Sequence, residues 1–493
     1  MTAFGDSRSA TAMSIDRRKL LLSTLAVIGA LACVGLPASL TFQKAAEPQP
    51  LSWSVIAACA AGASMLALAA FALPAKLGIG VATRFLGLGS NRWLPPLLVG
   101  LLLRLVVDLA LAARPGSDGA VYLGLAESMA RGGAYLTSST WAYWPPGLSL
   151  ALVPLLWLAG SPAVALSVYG LSSFAIAALG TRQLCLTLGL DRYISLPLWL
   201  LALWPGMVLC SGLPEKELLA AALMPWMLAF AWRSRHGGLA PAAGAGVLLG
   251  GLTLVQPSLQ LFPLAALAFV LAFDSPRWVF VKQAAVVVVV MLLTVSPWTY
   301  RNYQVLGAPV LVSTNGGSNL YRANNELATG GFVAKGKVDV EALEELEADR
   351  TGKRLASEWI RNNPARFVQL AAGKVLLFLG DDSYGAYAVF RVGGVAIAPI
   401  PYLMVKALSA LPWVACWLTI LVLSACRATA ASASLAPVGL VVLPILYLLG
   451  IHSVFESGGK YHLPVLCPLL VLLLLLARSR SGQAGGESNR VRA

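Results

Sequence analysis

Apolar residues run along this chain in blocks of about 16 to 23, the length a helix needs to cross a hydrocarbon layer roughly 30 Å thick. The blocks fall at 20–40, 52–74, 94–113, 162–180, 193–210, 217–232, 241–256, 259–273, 283–300, 404–425, 434–451 and 462–477. They predict an all-α polytopic membrane protein with about twelve transmembrane helices, since barrel strands would be shorter and alternating. Setting the N-terminus inside puts Lys76, Arg84, Arg92, Arg182, Arg192, Arg233, Arg235, Arg277, Lys282, Arg427, Arg478, Arg480, Arg490 and Arg492 on the same inner face. That asymmetry is the positive-inside pattern. It requires that 145–160, "PPGLSLALVPLLWLAG", does not cross, and its apolar part of about 14 residues suits an interfacial or re-entrant helix. Four polar segments then share the outer face: 114–145, "LPEKE" at 213–217, 301–403 and "FESGGKY" at 455–461.

Composition sharpens this picture. Of 493 residues, 58% are hydrophobic and 12% charged, with a mean hydropathy of +0.75, outside the range of soluble chains. The net charge of +14 comes from short clusters beside apolar blocks, without a basic stripe interleaved with stacking aromatics. Membrane lipids explain the charge and nucleic acid does not. The seven cysteines show neither a disulfide framework nor zinc-ligand spacing, so no metal or other cofactor is indicated. Arg17, Arg18 and Lys19 before a long apolar run resemble a signal sequence, but the run continues to about Leu40 without a cleavage site, which predicts an uncleaved first helix. No clear internal repeat emerges, which weighs against an inverted-repeat transporter. Within 301–403, "VDVEALEELEADRTGKRLASEWIRNNPARF" predicts a charged helix stopped by Pro364, followed by a short apolar piece at 366–380. The region is expected to form a small extracytoplasmic subdomain with membrane-hugging helices.

Candidate chemistry gathers in the four polar segments. Asp118 in "GSDGAVY" can serve as a proton acceptor for a hydroxyl nucleophile, or can simply cap the helix that starts there, as can Ser117. Glu215 and Glu217 stand at a helix start, favourable for dipole reasons alone and also suited to a site facing Asp118. Arg104 and Asp108, four residues apart inside a span, are expected to pair with each other. Arg301 lies where a span meets the outer interface, either snorkelling or holding a phosphate. The stretch after it, rich in Asn, Gly, Ser and Tyr, contains Asn315, Asn319 and Tyr321, amides and an aromatic face of the kind a sugar site uses. Lys460 is either an interfacial anchor beside Tyr461 or the partner of a lipid phosphate. His452, Glu456 and His462 nearby fit no standard zinc spacing.

Taken in order, "SDGAVYLGLAESMARGGAY…PPG", "GLPEKELL", "SPWTYRNYQVLG…TNGGSNLYRANN" and "KYHLPVLCPLLVLL" resemble the bacterial branch of the dolichyl-phosphate-mannose protein mannosyltransferase-like family, which includes the lipid A aminoarabinose transferases. These are glycosyltransferases of the GT-C class. The resemblance spans 94–480 and implies juxtamembrane helices on the outer face, an active-site acid at Asp118, a second acid at Glu215 or Glu217, and a basic residue at Lys460. Tyr122, Arg301, Asn315, Asn319, Tyr321 and Tyr461 join the expected substrate-binding set. Two positions depart from the family pattern. Many relatives carry a second acid where this chain has Gly119, which puts two-carboxylate or metal-assisted schemes in doubt, and many carry Arg in place of Lys460, whose ammonium lacks the guanidinium fork.

The organisation implied is 1–93 as an N-terminal helical hairpin addition, 94–300 as the transmembrane core with its catalytic loop at 114–160, 301–403 as the extracytoplasmic and juxtamembrane region, 404–480 as the C-terminal helices, and 481–493 as a basic cytoplasmic tail. The expected activity is inverting transfer of a sugar from a polyprenyl-phosphate-linked donor to a lipid, glycan or protein acceptor at the extracytoplasmic face of the inner membrane. Neither a Walker motif nor a dinucleotide fingerprint is present, in keeping with a donor that is not a nucleotide. The competing readings are a transporter or flippase of lipid-linked sugars and a polysaccharide polymerase using a lipid-diphosphate donor.

Overall fold

A computed structural model of the chain describes residues 7–44, 49–273, 278–332, 336–427 and 436–490; Arg277 and Arg492 of the topology argument lie outside the described residues. Every regular element among the described residues is helical. Seven helices are long and apolar enough to cross a membrane: Lys19–Ser39, Trp53–Ala72, Leu94–Leu111, Pro162–Thr187, Val281–Leu306, Pro399–Cys426 and Ala436–Val454. The chain is therefore an all-α polytopic membrane protein. Shorter apolar helices occur at Gly147–Ala159, Leu239–Val255, Pro257–Ala268 and Leu463–Arg478, so by length alone the spans number fewer than the twelve apolar blocks. Local signals set several starts. Ser52 accepts the Val55 N–H at 3.3 Å and Ser161 accepts the Val164 N–H at 3.3 Å, each capping the helix that follows. Pro364 opens the helix Pro364–Gly380 directly after Glu345–Asn362 has ended.

The last long helix forms the axis of the bundle. From Leu466 to Ala477 every residue is buried, as expected of a helix that is apolar all round. Ala75–Gly87, Pro399–Arg427 and Ala436–Val454 pack around it. Lys216–Ser234 lies between Pro162–Thr187 and Leu239–Val255, and the latter packs on Trp278–Leu306. The first helix, Ser7–Lys44, packs against both Pro399–Arg427 and Pro364–Gly380.

Two expectations change. The block 193–210 is not one helix but Ser195–Ala202 and Pro205–Leu209, broken at Leu203 and Trp204. Pro205 is the cause: it drives Trp204 to an extended backbone, φ −67° and ψ 111°, and supplies no N–H to continue the ladder. The break exposes carbonyls that Arg104 satisfies. Its Nη1 donates to Ala202 O at 2.9 Å and Gly100 O at 3.1 Å, and its Nη2 donates to Leu201 O at 3.1 Å. The guanidinium lies 3.8 Å from the Phe174 ring centroid, so Arg104 caps a helix C-terminus and does not pair with Asp108. Asp108 instead accepts from the Ser167 hydroxyl. A carbonyl set at a helix end offers Arg several fixed acceptors, whereas Asp108 offers one carboxylate that already has a donor.

Candidate functional site

The first polar loop reaches Asp118 through unusual backbone. Ala112 and Ser117 both adopt left-handed conformations, φ 45° and 48°, which cost a residue with a Cβ on the order of 1–2 kcal/mol each. The helix Ser117–Ala130 has Gly116 as its N-cap and no side-chain cap bond, so the capping role allowed for Asp118 and Ser117 is not the one they fill. Asp118 sits in the first turn and its carboxylate turns elsewhere. Lys460, 342 residues away in sequence, donates its ammonium to Asp118 Oδ2 at 3.1 Å. The Lys460 side chain is 19% exposed and that of Asp118 45%, so the pair is open on the carboxylate side. Burial pushes the Asp118 carboxyl up, but Lys460, Lys216 and Arg322 outweigh it and hold the group below the usual carboxylate range. Around Lys460 burial acts downward, and Tyr384, Tyr461, Glu217 and Asp118 raise the ammonium well above its usual value.

The second polar turn closes on the same place. A Cβ added at Gly119 would stand 3.1 Å from Pro214 Cγ, so the absence of a side chain lets the Asp118 helix lie against the turn that carries Glu215. A side chain at position 119 would press on Pro214. Tyr384 donates its hydroxyl to Glu215 Oε1 at 2.9 Å, and Tyr169 donates to Glu215 O at 2.7 Å. Burial, then the neighbouring Glu217, pushes the Glu215 carboxyl up to about 7. Glu217 is 1% exposed, and its Oε1 has no hydrogen-bond partner among the described residues. Lys216, between the two acids, places its ammonium 6.0 Å from the centroid of the buried Tyr122 ring. Tyr122 in turn meets Trp144 edge-on at 5.3 Å.

Lys460 stands between two aromatic faces, 5.6 Å from the Tyr384 centroid and 5.5 Å from that of Tyr461. Tyr461 stacks on His452 at 4.3 Å. Beside them lies a residue that the sequence reading did not single out. Arg322 donates to Glu456 Oε1 at 3.1 Å and to Glu341 Oε1 at 2.7 Å, and Tyr143 donates to the same Glu341 oxygen at 2.9 Å. This chain ties the first polar loop, the 301–403 region and the last loop together next to Asp118. The signal was the cation inside "SNLYRANN", the only charge in an amide-rich stretch.

Other expected residues are placed differently. Arg301 donates to Trp141 O at 2.7 Å and Tyr135 O at 2.6 Å, with its guanidinium 4.8 Å from the Trp298 ring centroid. Those contacts fasten the first polar loop. Asn315 accepts from the Ser313 hydroxyl at 2.9 Å, and Asn319 accepts from Arg322. Tyr321 is buried with Val340 and Ala356, its hydroxyl accepting the Val338 N–H at 3.2 Å. Glu345 reinforces the loop anchor, accepting the Trp141 N–H at 2.6 Å, the Ala142 N–H at 2.8 Å and the Thr314 hydroxyl at 2.7 Å. The structure thus brings Asp118, Glu215, Glu217, Tyr122, Lys460 and Tyr461 together and uses Arg301 and Tyr321 to hold the surrounding walls. Among the described residues no group of three or more His, Cys, Asp or Glu side chains is placed to hold a metal ion.

Fold and site together define a polytopic all-α membrane protein in which loops at the ends of several helices converge on paired acids and a lysine. No protein-family profile matches the chain, and no curated protein sequence does. Its fold is similar to several solved structures, among them three membrane enzymes. One is the oligosaccharyltransferase of Archaeoglobus fulgidus in the apo form, at 13% identity and a TM-score of 0.44, covering 81% of this chain and 52% of that one. A second is the oligosaccharyltransferase AglB of the same organism in complex with an inhibitory peptide and a dolichol-phosphate, at 11% identity and a TM-score of 0.42, covering 78% and 50%. The third is ArnT from Cupriavidus metallidurans bound to undecaprenyl phosphate, at 14% identity and a TM-score of 0.41, covering 80% and 78%. The chain matches about half the length of each archaeal enzyme.

Proposed function

We propose that this chain is a multi-pass glycosyltransferase of the GT-C class that takes a sugar from a polyprenyl-phosphate-linked donor and transfers it, with inversion, to a lipid, glycan or protein acceptor. In this reading the site faces the extracytoplasmic side of the inner membrane, the N-terminal 93 residues extend the core 94–300, and 301–403 covers the site. The observation that carries it is the ion pair between Lys460 and Asp118, set beside Glu215 and Tyr384. Outside the cytoplasm a sugar arrives activated on a lipid, and its phosphate leaves at membrane depth. An incoming phosphate competes with Asp118 for the Lys460 ammonium. As that ammonium turns to the phosphate, the force holding the Asp118 carboxyl down is relaxed, and the carboxylate becomes a better proton acceptor. The acceptor hydroxyl then gives its proton to Asp118 while its oxygen bonds to the anomeric carbon. The bond from that carbon to the phosphate oxygen breaks, its electron pair departs with the phosphate, and Lys460 and Lys216 offset the charge. Glu215, whose carboxyl is protonated as pH falls below about 7, is suited to donate a hydrogen bond to a sugar or acceptor oxygen.

The test is transfer of labelled sugar from synthetic polyprenyl-phosphate donors by the purified protein in lipid nanodiscs. Asp118→Asn should lower turnover by about 10²-fold or more while donor binding and thermal stability persist, because the carboxylate caps no helix. Near-wild-type turnover in Asp118→Asn removes the base from this site. Movement of intact lipid-linked sugar across a bilayer, with no transfer by the wild type, would establish the flippase reading instead.

A further inference from the structure

Beneath the site lies a buried pair that no step above employs. His462 is 0% and Asp382 1% exposed. His462 Nδ1 lies 2.8 Å from Phe378 O, and a carbonyl only accepts, so Nδ1 carries a hydrogen. His462 Nε2 lies 2.9 Å from Asp382 Oδ1, and the other carboxylate oxygen accepts from the Trp204 indole N–H. One proton must therefore sit between Nε2 and Oδ1, because without it two lone pairs would face each other in a dry interior. The ring is held from both sides: it stacks on Trp413 at 3.9 Å and meets Phe378 edge-on at 5.7 Å.

The placement of this pair gives it a task. His462 follows Lys460 by two residues, and Asp382 precedes Tyr384 by two. A Cβ added at Gly459 would stand 2.7 Å from Asp381 O, so the two segments pass backbone against backbone just above the pair. Trp204, the third member, lies in the helix break before Pro205. Replacing a buried ionic pair with apolar residues of similar volume often leaves a fold equally stable, so stability alone is a weak reason to keep one among Leu463, Val465 and Leu466. We infer that the His462–Asp382 pair is a positioning element: it fastens the segment carrying Lys460 to the segment carrying Tyr384, and so sets the spacing between the ammonium on Asp118 and the hydroxyl on Glu215. Its catalytic consequence rests on the transferase reading; its geometric one does not.

The experiment therefore has two readouts, in protein whose native cysteines have been replaced. The first is the distance distribution between spin labels at Gly458→Cys and Tyr387→Cys, measured by pulsed electron resonance. The second is the kcat and KM of sugar transfer without labels. Asp382→Asn can accept from Trp204 and donate to a neutral His462, so it should keep a narrow distribution and most of the transfer rate. Asp382→Leu should broaden the distribution and lower kcat at least tenfold, with donor KM changing less than threefold. Where Asp382→Leu fails to fold, the double variant His462→Phe with Asp382→Leu takes its place, removing both polar partners at once and giving the same broadening and loss of kcat. A narrow distribution in a folded Leu variant overturns the inference whatever the activity. Broadening in a protein whose wild type shows no transfer supports the positioning role and overturns the transferase reading alone.

Discussion

Arg104 and Lys460 are both cations held largely out of water, and their donors meet different things. Arg104 is 1% exposed and donates to three backbone carbonyls, Leu201 O and Ala202 O at the helix break and Gly100 O in its own helix. Those acceptors are part of the chain's own ladder and cannot be exchanged for a ligand without unfolding a helix end. Lys460 gives one bond to a side-chain carboxylate that is 45% exposed, beside the rings of Tyr384 and Tyr461 and within the influence of Glu217. An ammonium has three donors, so Lys460 keeps capacity for an oxygen that arrives later. A cation satisfied by backbone secures the fold, whereas one balanced against a half-exposed acid is able to change partners. Arg301, bonded to Trp141 O and Tyr135 O, resembles Arg104 in this respect.

That contrast is testable from its strongest consequence downward. Arg104→Met removes the guanidinium from its three buried carbonyl contacts, so it should cost about 3 kcal/mol of stability. Thermal unfolding in detergent measures the loss, and an unchanged midpoint would erase the distinction between the two cations. Lys460→Ala should do the reverse, raising donor KM about tenfold, ~1.4 kcal/mol, with little change in unfolding. Lys460→Arg should recover part of that loss if charge matters more than shape. Arg301→Gln sharpens the comparison. As a loop anchor it should increase proteolysis between Tyr135 and Trp144 and leave donor KM within threefold of wild type; a tenfold rise would move Arg301 into the phosphate site.

The last consequence concerns pH. Glu215 has a folded-state value raised from 4.5 to about 7, so the folded state binds its proton more tightly than the unfolded chain does. That contribution to stability is fully present below about 4.5 and is lost as pH rises through about 7. Asp118, lowered by Lys460, has the opposite sign, contributing above its unfolded value and losing that contribution as pH falls. The unfolding midpoint of Glu215→Gln should therefore fall less than that of wild type between pH 5 and pH 8. Parallel profiles would show that the Glu215 proton does not distinguish folded from unfolded protein.

The apolar blocks alone determined that this chain is helical and membrane-spanning, because burying backbone in lipid leaves a chain few other ways to satisfy its own hydrogen bonds. Local punctuation was equally legible: Pro364 separates two helices, and the short block after Pro145 and Pro146 is the helix Gly147–Ala159. Asp118, Glu215, Glu217 and Lys460 were visible as polar residues at the edges of oil. Their relation was not. Whether Asp118 capped its helix or met a cation depended on a lysine 342 residues away, and no periodicity reaches that far. The same holds for Arg322 on Glu456, for His462 on Asp382, and for Arg104, whose neighbour at four residues looked like a partner until a proline on another segment opened carbonyls nearer to hand. Sequence spacing reports contacts within one helix; the partners of a buried charge are set by whichever segments packing brings beside it, and only the tertiary structure decides those.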